Sequence, residues 1–164
     1  MVQQNIELGP CRVLVNETDV GPTLGPVRLT VKTVWRERRS DRHGATPVER
    51  IALGGEARAS LRLAEKTLAN LKRALPQAAE GAGYLSLGSA PGFKAGSAAV
   101  SLRLHPEERS DAARDVVLHK AVAGGAVELD YGPGQGRAFE VEFVALLDPS
   151  RTDGDRVMRL YQGD

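Results

Sequence analysis

Cysteine is nearly absent from this sequence, and that scarcity narrows the kinds of protein that it can encode. Cys11 is the only cysteine, so the chain can form no intrachain disulfide and no cysteine-rich zinc site. We interpret Cys11 as a small buried hydrophobic side chain, with a reactive or interchain thiol as the alternative. Long apolar runs are missing as well, and none approaches the roughly 18–20 residues that a membrane-spanning helix needs.

An excess of positive charge is also missing. The 22 basic and 21 acidic side chains nearly cancel, whereas a protein that grips nucleic acid generally carries a basic excess. Residues 1–6 lack the charged and apolar blocks of a signal peptide, so we expect a soluble protein that is made in a cytoplasm and does not enter a membrane.

The patterns that mark catalytic, cofactor and metal sites are absent or incomplete. The glycine-rich residues 132–136 lack the Gly-Lys-Ser/Thr ending of a phosphate-binding loop, and their place between two alternating segments indicates a hairpin loop. Residues 148–155 resemble a calcium loop, but Asp153 stands at the sixth position, where such a loop requires glycine. We therefore predict no catalysis, no cofactor and no metal ion. The histidines have no metal-ligand spacing and are interpreted as surface or packing residues: His43, His105 and His119.

What the sequence has in abundance is period-two alternation of apolar and polar residues, the pattern of strands that bury one face. In residues 27–35, for example, Leu29 and Val31 alternate with Thr30 and Lys32. Such strands leave the other face wet or available to a partner. The predicted strands cover residues 27–35, 56–63, 100–104, 127–131 and 139–143, with weaker candidates at 12–15, 84–87, 116–122 and 156–161.

One segment, residues 64–75, is predicted to be an amphipathic helix. Leu68 and Leu71 fall on its apolar face, Asn70 lies elsewhere, and Pro76 ends the helix. Several strands with a single helix predict a mainly β chain, built as a β-sandwich or partial barrel with one flanking α-helix.

The chain is predicted to form one domain over residues 1–164. Its length suits a single domain with a sizeable core, and neither an internal repeat nor a domain boundary is recognisable. Within that domain, residues 1–10 are predicted to form an N-terminal arm.

A charged segment, residues 36–50, lies between two predicted strands and is the strongest charge cluster of the chain. It admits three interpretations: a solvated loop, a nucleic-acid patch, or a long loop or hairpin arm that contacts a neighbouring subunit. Acidic residues interleave with the basic ones and no aromatic residue follows nearby to stack on bases, which weakens the nucleic-acid interpretation. We favour the intersubunit arm, whose candidate contact residues are Trp35, Arg36, Arg38, Arg39, Asp41, Arg42, His43 and Pro47.

Two acidic pairs alternate with apolar residues on either side of residues 132–136. Paired carboxylates can act as general acid and base. Strand spacing, however, places these pairs side by side on one exposed sheet face, where a like-charged surface would repel a phosphate backbone. We favour the repelling surface over catalysis. The four residues are Glu128, Asp130, Glu140 and Glu142.

A series of short motifs runs in order along nearly the whole chain, although each is common by itself. The first half contributes a turn at residues 21–25, the segment 44–48 within the charged stretch, and residues 54–71, which join a strand to the helix. The second half contributes residues 104–106, 115–121, 137–148 and 160–164. In this order the motifs resemble the tail tube (major tail) proteins of long-tailed bacteriophages.

The resemblance implies a β-sandwich with a flanking helix, assembled as hexameric rings that stack into a hollow tube for viral DNA. Residues 36–50 would be the arm that contacts the adjacent ring, and the four acidic residues are our candidates for the lumen. The implied location is the tail of the virion, after synthesis in the host cytoplasm. The implied partners are further copies of the chain, tail terminator, tape-measure and baseplate or tip proteins, and DNA as transient cargo without specific binding.

Three other interpretations stay open at this point. A tube subunit of a contractile tail or of a tail-like secretion system would have the same fold. A monomeric β-sandwich module that binds a peptide or a sugar is the alternative from another class. A hydrolase that uses Glu140 or Glu142 is the weakest of the three.

Overall fold

A computed structural model describes residues 10–88, 91–108, 112–134, 136 and 138–162 of the chain. This part contains one α-helix and ten β-strands, which confirms the prediction of a mainly β chain with one helix. The predicted N-terminal arm lies outside it, apart from Pro10. The helix α1 is Leu68–Ala74, and the strands are β1 Cys11–Val15, β2 Thr18–Asp19, β3 Arg28–Arg39, β4 Pro47–Leu63, β5 Ala79–Gly81, β6 Tyr84–Ser86, β7 Val100–Pro106, β8 Val116–Ala123, β9 Phe139–Ala145 and β10 Met158–Leu160.

Eight of the strands form one antiparallel sheet in the order β2-β1-β7-β8-β9-β4-β3, with β10 paired to β8, while β5 and β6 form a separate small hairpin. Val13 of β1 and Leu61 of β4 lie near opposite ends of this order, yet both belong to a single core cluster. The sheet therefore curves around its core. An isolated β-bridge between Thr23 and Leu63 joins the segment between β2 and β3 to the end of β4.

The helix is shorter than predicted, and its buried face is different. It begins after Thr67, whose side chain accepts a hydrogen bond from the backbone N–H of Asn70, a cap that fixes the start of a helix. Leu68, expected on the apolar face, is exposed, whereas Asn70, expected elsewhere, is buried. Its amide donates to the backbone oxygens of Val20, at 2.9 Å, and Glu65, at 3.2 Å. These bonds let a polar residue take a core position.

The prediction of a strand at residues 127–131 is wrong, although its alternation is real. Val127 and Leu129 pack partly buried against the core, and Glu128 and Asp130 between them are exposed, but the backbone joins no sheet. One edge of β8 is already paired with β9 and β10. Both edges of β9 are also occupied, because β9 lies between β8 and β4. Residues 132–134 consequently form a turn that does not join two paired strands.

Cys11 stands at the beginning of β1 and is half-buried. Burial, with a smaller contribution from the negative charge of Glu107, raises the pKa of its thiol. The thiol therefore stays protonated at neutral pH, which makes it a poor nucleophile.

Candidate assembly surface

The charged segment of residues 36–50 is a β-hairpin. β3 and β4 pair continuously from Arg28 opposite Ser60 to Arg39 opposite Pro47, and a 3-10 turn at Asp41–His43 joins them. The sequence places strand ends at residues 35 and 56, but the pairing runs far beyond both. Charged side chains do not interrupt it because a hairpin exposed on both faces leaves its charged side chains in water.

Most of this hairpin projects beyond the body of the protein. The residues of β4 from Pro47 to Glu56 are all exposed, and burial begins only at Ala57. On β3, Leu29 and Val34 are the only half-buried residues and the rest are exposed. An isolated two-stranded hairpin is at best marginally stable in water. The projecting part therefore gains little stability from its own packing.

Two register shifts between β3 and β4, at Val34/Trp35 and at Arg38/Arg39, decide which side chains share a face of the hairpin. Val34 lies opposite Gly54 and Trp35 opposite Ala52, so Leu53 is an extra residue in β4. Because β3 alternates regularly, Val31 and Trp35 lie on the same face of the hairpin. Nearer the base of the hairpin, this face packs on the core. Bulges are typical of sheet edges, where they redirect side chains.

Exposed apolar side chains line the projecting hairpin. Trp35 is 46% exposed and Leu53 is 62% exposed, and Arg50 lies over the Trp35 ring with its guanidinium carbon 5.3 Å from the ring centre. Such a cation–π pair at an exposed site contributes about 0.5–1 kcal/mol. We define the hairpin apolar strip as these exposed residues: Val31, Trp35, Val48, Ile51 and Leu53.

Charged residues occupy the rest of the hairpin. Arg38 pairs with Glu49 at 3.7 Å and Arg39 with Glu37 at 2.9 Å, but exposed ion pairs contribute only about 0–1 kcal/mol each. The structure places every predicted arm residue on this one hairpin: Trp35, Arg36, Arg38 and Arg39 on β3, Asp41, Arg42 and His43 in the turn, and Pro47 at the start of β4.

The four acidic residues do not share one sheet face, so that prediction is wrong. Glu140 and Glu142 lie on β9, opposite Arg62 and Ser60 of β4, and Glu142 forms an ion pair with Arg58 at 3.3 Å. This part of the surface carries both signs of charge and is not uniformly negative. Glu128 and Asp130 lie in the irregular segment before β9.

Two histidine–aspartate pairs were missed by the sequence interpretation. His105 on β7 contacts Asp115 through Nδ1 at 2.6 Å, and His119 on β8 contacts Asp155 through Nε2 at 3.0 Å. Asp115 is only 1% exposed, and a buried carboxylate requires such partners. No spacing pattern announces the second pair, because its members are brought together by the return of the chain to β8.

Asp155 is the centre of an ion-pair cluster near the end of the described chain. Arg159 and Arg151 bind its carboxylate together with His119. Hydrogen bonds from Arg159 first, and then from His119 and Arg151, lower the pKa of Asp155 from 3.8 to about 2. Because the folded pKa is the lower one, the cluster stabilises the fold above the ordinary pKa and loses that contribution as the pH falls from 3.8 towards 2.

We expect Asp155→Asn to lower the urea midpoint of unfolding at pH 7. The difference from the parent protein should vanish as the pH falls from 3.8 to about 2. Circular dichroism during urea titration at a series of pH values measures it. Asp153→Asn is the matched control, because Asp153 is largely exposed and among the described residues pairs with Arg156 alone. If the urea midpoint of Asp155→Asn stayed equally far below that of the parent protein at still lower pH, the Asp155 carboxylate would not be the source of the stabilisation.

The described residues contain no group of three or more histidine, cysteine, aspartate or glutamate side chains arranged to hold a metal ion. Within the same part of the chain, α1 is too short and too polar to cross a membrane. No protein-family model matches the chain, and no curated protein matches it significantly.

Proposed function

We propose that this chain is the subunit of a phage tail tube, a structural virion protein that forms stacked hexameric rings as a conduit for viral DNA. The observation that carries the proposal is the projecting β3–β4 hairpin. It lies at the place in the chain where the resemblance to tail tube proteins implies an intersubunit arm. It offers an apolar strip and cationic side chains well outside the core. The partners that we propose for this surface are, first, further copies of the same chain.

The hairpin apolar strip supports contact with another protein surface. Ile51 lies opposite Arg36, on the other face from Trp35, so exposed apolar residues occupy both faces of the hairpin. Single exposed apolar residues are common, but such a concentration on one projecting element is a mark of an interaction site. Trp35 beneath Arg50 combines the two residue types that most often dominate the binding energy of interfaces. Packing of the strip against a second copy would bury it and stabilise a hairpin that has little support of its own.

The outer edge of β3 supports lateral closure. β3 stands at the end of the strand order and is 12 residues long, and none of the described residues pairs with its outer side along the sheet. Long exposed edges promote uncontrolled association in a free monomer. In a ring, a head-to-tail contact with the next subunit would cover the edge, and repetition along the axis gives a filament.

The proposal also includes the remaining partners that the resemblance implies. A tube that ends at a defined length would contact terminator, tape-measure and baseplate or tip proteins at its ends, and DNA would pass through without specific binding. The near balance of charge, a formal net charge of +1, supports passage without retention because phosphate binding depends on a cationic excess.

Negative-stain microscopy of the concentrated protein tests the proposal directly. We expect rings or tubes of uniform bore with six subunits per ring. A strictly monodisperse monomer at all protein and salt concentrations would be inconsistent with a tube subunit. It would favour the monomeric binding module instead.

For the lumen, we propose the outer face of β9 and β4, where Glu140 and Glu142 lie beside Arg58 and Arg62. Both signs of charge on one face would weaken any net attraction to the DNA backbone. Changing both glutamates to lysine would leave a wholly cationic cluster there.

Tubes that carry Glu140→Lys with Glu142→Lys should therefore retain DNA. We expect affinity for duplex DNA to rise on the order of tenfold at low salt and its salt dependence to steepen, by about 0.9 in the logarithmic slope per new phosphate contact. Filter binding with assembled tubes at several salt concentrations measures both quantities. Glu128→Lys with Asp130→Lys makes the same charge change outside the sheet, and equal DNA retention by those tubes would reject the proposed lumen face.

A further inference from the structure

β9 and β10 follow the same edge of β8 in one line. After Ala145 of β9, the Leu146 N–H donates to the Lys120 oxygen at 2.6 Å, and the His119 N–H donates to the Val157 oxygen at 3.3 Å just before β10. Pairing along β8 thus continues from one strand to the other with little interruption. Residues 147–156 leave this line and return to it.

The loop of residues 147–156 is closed at its neck. The Asp148 N–H donates to the Arg156 oxygen at 2.8 Å, and inside the loop Arg151 pairs with Asp155 at 3.2 Å. Loops with close ends that pack on their own side chains are frequently functional. The ion pairs centred on Asp155 hold this loop shut.

The attachment of β10 to the body is small apart from that loop. Three residues pair with β8: Met158 with Leu118, Arg159 with Val117 and Leu160 with Val116. Met158 is half-buried, but Arg159 and Leu160 are exposed. Val157, just before the strand, and Met158 pack against the core and are the apolar contacts that oppose the departure of β10. Segments with so few buried contacts open at low free energy.

The edge of β8 beneath β10 cannot remain bare. Leu118 is fully buried and Val117 nearly so, and without β10 the backbone groups of Val116–Leu118 on this side would lose their strand partner. An unpaired edge of this kind recruits another strand. The strand that fits best is one with the same sequence as β10, because its apolar residues already match this register.

We propose that β10 is an exchangeable strand, which docks on the Val116–Leu118 edge of a second copy of the chain when the loop of residues 147–156 opens. The β10–β8 contacts are the same in the exchanged and the closed state, so exchange costs mainly the contacts that close the loop, Asp148 with Arg156 and Arg151 with Asp155. Extended at about 3.3 Å per residue, the loop reaches roughly 30 Å. The β8 edge is thereby an interaction surface for a second copy, whether or not the copies form a tube.

Disulfide trapping tests the exchange. Tyr161 N–H donates to the Asp115 oxygen at 2.8 Å, which makes Val116 and Leu160 a non-hydrogen-bonded pair with Cα atoms about 4.5 Å apart, close enough for a disulfide. On a Cys11→Ser background, a Val116→Cys chain is mixed with a tagged Leu160→Cys chain. We expect a mixed disulfide between the two chains, detected by mass.

A Leu147→Cys chain replaces the Val116→Cys chain as the control for random collision, since Leu147 is exposed but has no place opposite β10. We expect several-fold less mixed disulfide with this control. In the Asp155→Asn background the specific disulfide should form several-fold faster, and in the Asp153→Asn background at the parent rate.

A chain that carries both Val116→Cys and Leu160→Cys shows whether the pair folds correctly, because it should form the intrachain disulfide. If it does so while the mixed disulfide stays at the level of the collision control, β10 does not exchange and the inference is overturned. That result would leave the tube proposal untouched, since ring and tube formation are observed separately by microscopy.

Discussion

Replacing residues 35–53 by Asn-Gly should give a folded protein that forms neither rings nor tubes. Val34 and Gly54 lie opposite each other, and Asn-Gly between two paired residues favours a tight hairpin turn. Apart from the half-buried Ser40, the removed residues are exposed, and exposed positions contribute about 0.5 kcal/mol or less each. The thermal unfolding transition should therefore remain cooperative and close to that of the parent, while negative-stain images show only monomers.

Point variants separate the hairpin apolar strip from the hairpin as a whole. Leu53→Glu should prevent assembly, because a carboxylate buried without a partner opposes any interface that the strip forms. Leu147→Glu is the matched control, with an apolar side chain 56% exposed at a site off the hairpin, against 62% for Leu53. Tubes that grow normally from the truncated protein, or from Leu53→Glu, would remove the hairpin from the assembly mechanism.

Phe139→Ala should cost about 3–5 kcal/mol of unfolding free energy, the range for a buried phenylalanine in a packed core. Phe139 is 2% exposed and lies opposite Leu63, where β9 meets β4. The cavity would open between the strand that continues into the hairpin and the strand beside it. Urea unfolding followed by circular dichroism gives the difference.

Phe93→Ala is the control for that measurement, since Phe93 is 42% exposed and loses far less packing. We expect its effect to stay within about 1 kcal/mol, as is usual for exposed sites. Equal losses for the two variants would mean that Phe139 does not anchor the core described above.

Much of the strand framework could be predicted from alternation alone. The predicted strand at residues 139–143 lies within β9, and the weaker candidate at 116–122 lies within β8. Alternation also gave the right burial for Val127 and Leu129, which pack on the core. It could not show that their backbone pairs with nothing in the sheet, because pairing depends on which strand edges are still free.

Polar residues whose partners lie far away in the sequence were the harder part. Asn70 was placed on an outward face of the helix, but hydrogen bonds to two backbone oxygens hold it inside. Asp155 likewise had no recognisable partner in the sequence, yet it meets His119, 36 residues away along the chain. Propensity scales assign such side chains to the surface, since they cannot anticipate partners that only the folded chain supplies.

The sequence by itself determined that the chain is mainly β, that its described part has one helix, and which side chains of most strands face the core. It also marked residues 36–50 as the exceptional segment. Only the tertiary structure decided that this segment is a paired hairpin with Trp35 beneath Arg50, and that Glu140 and Glu142 lie beside arginines. The physical reason is that alternation fixes the direction of a side chain within its own strand, whereas its neighbours depend on strand order and register.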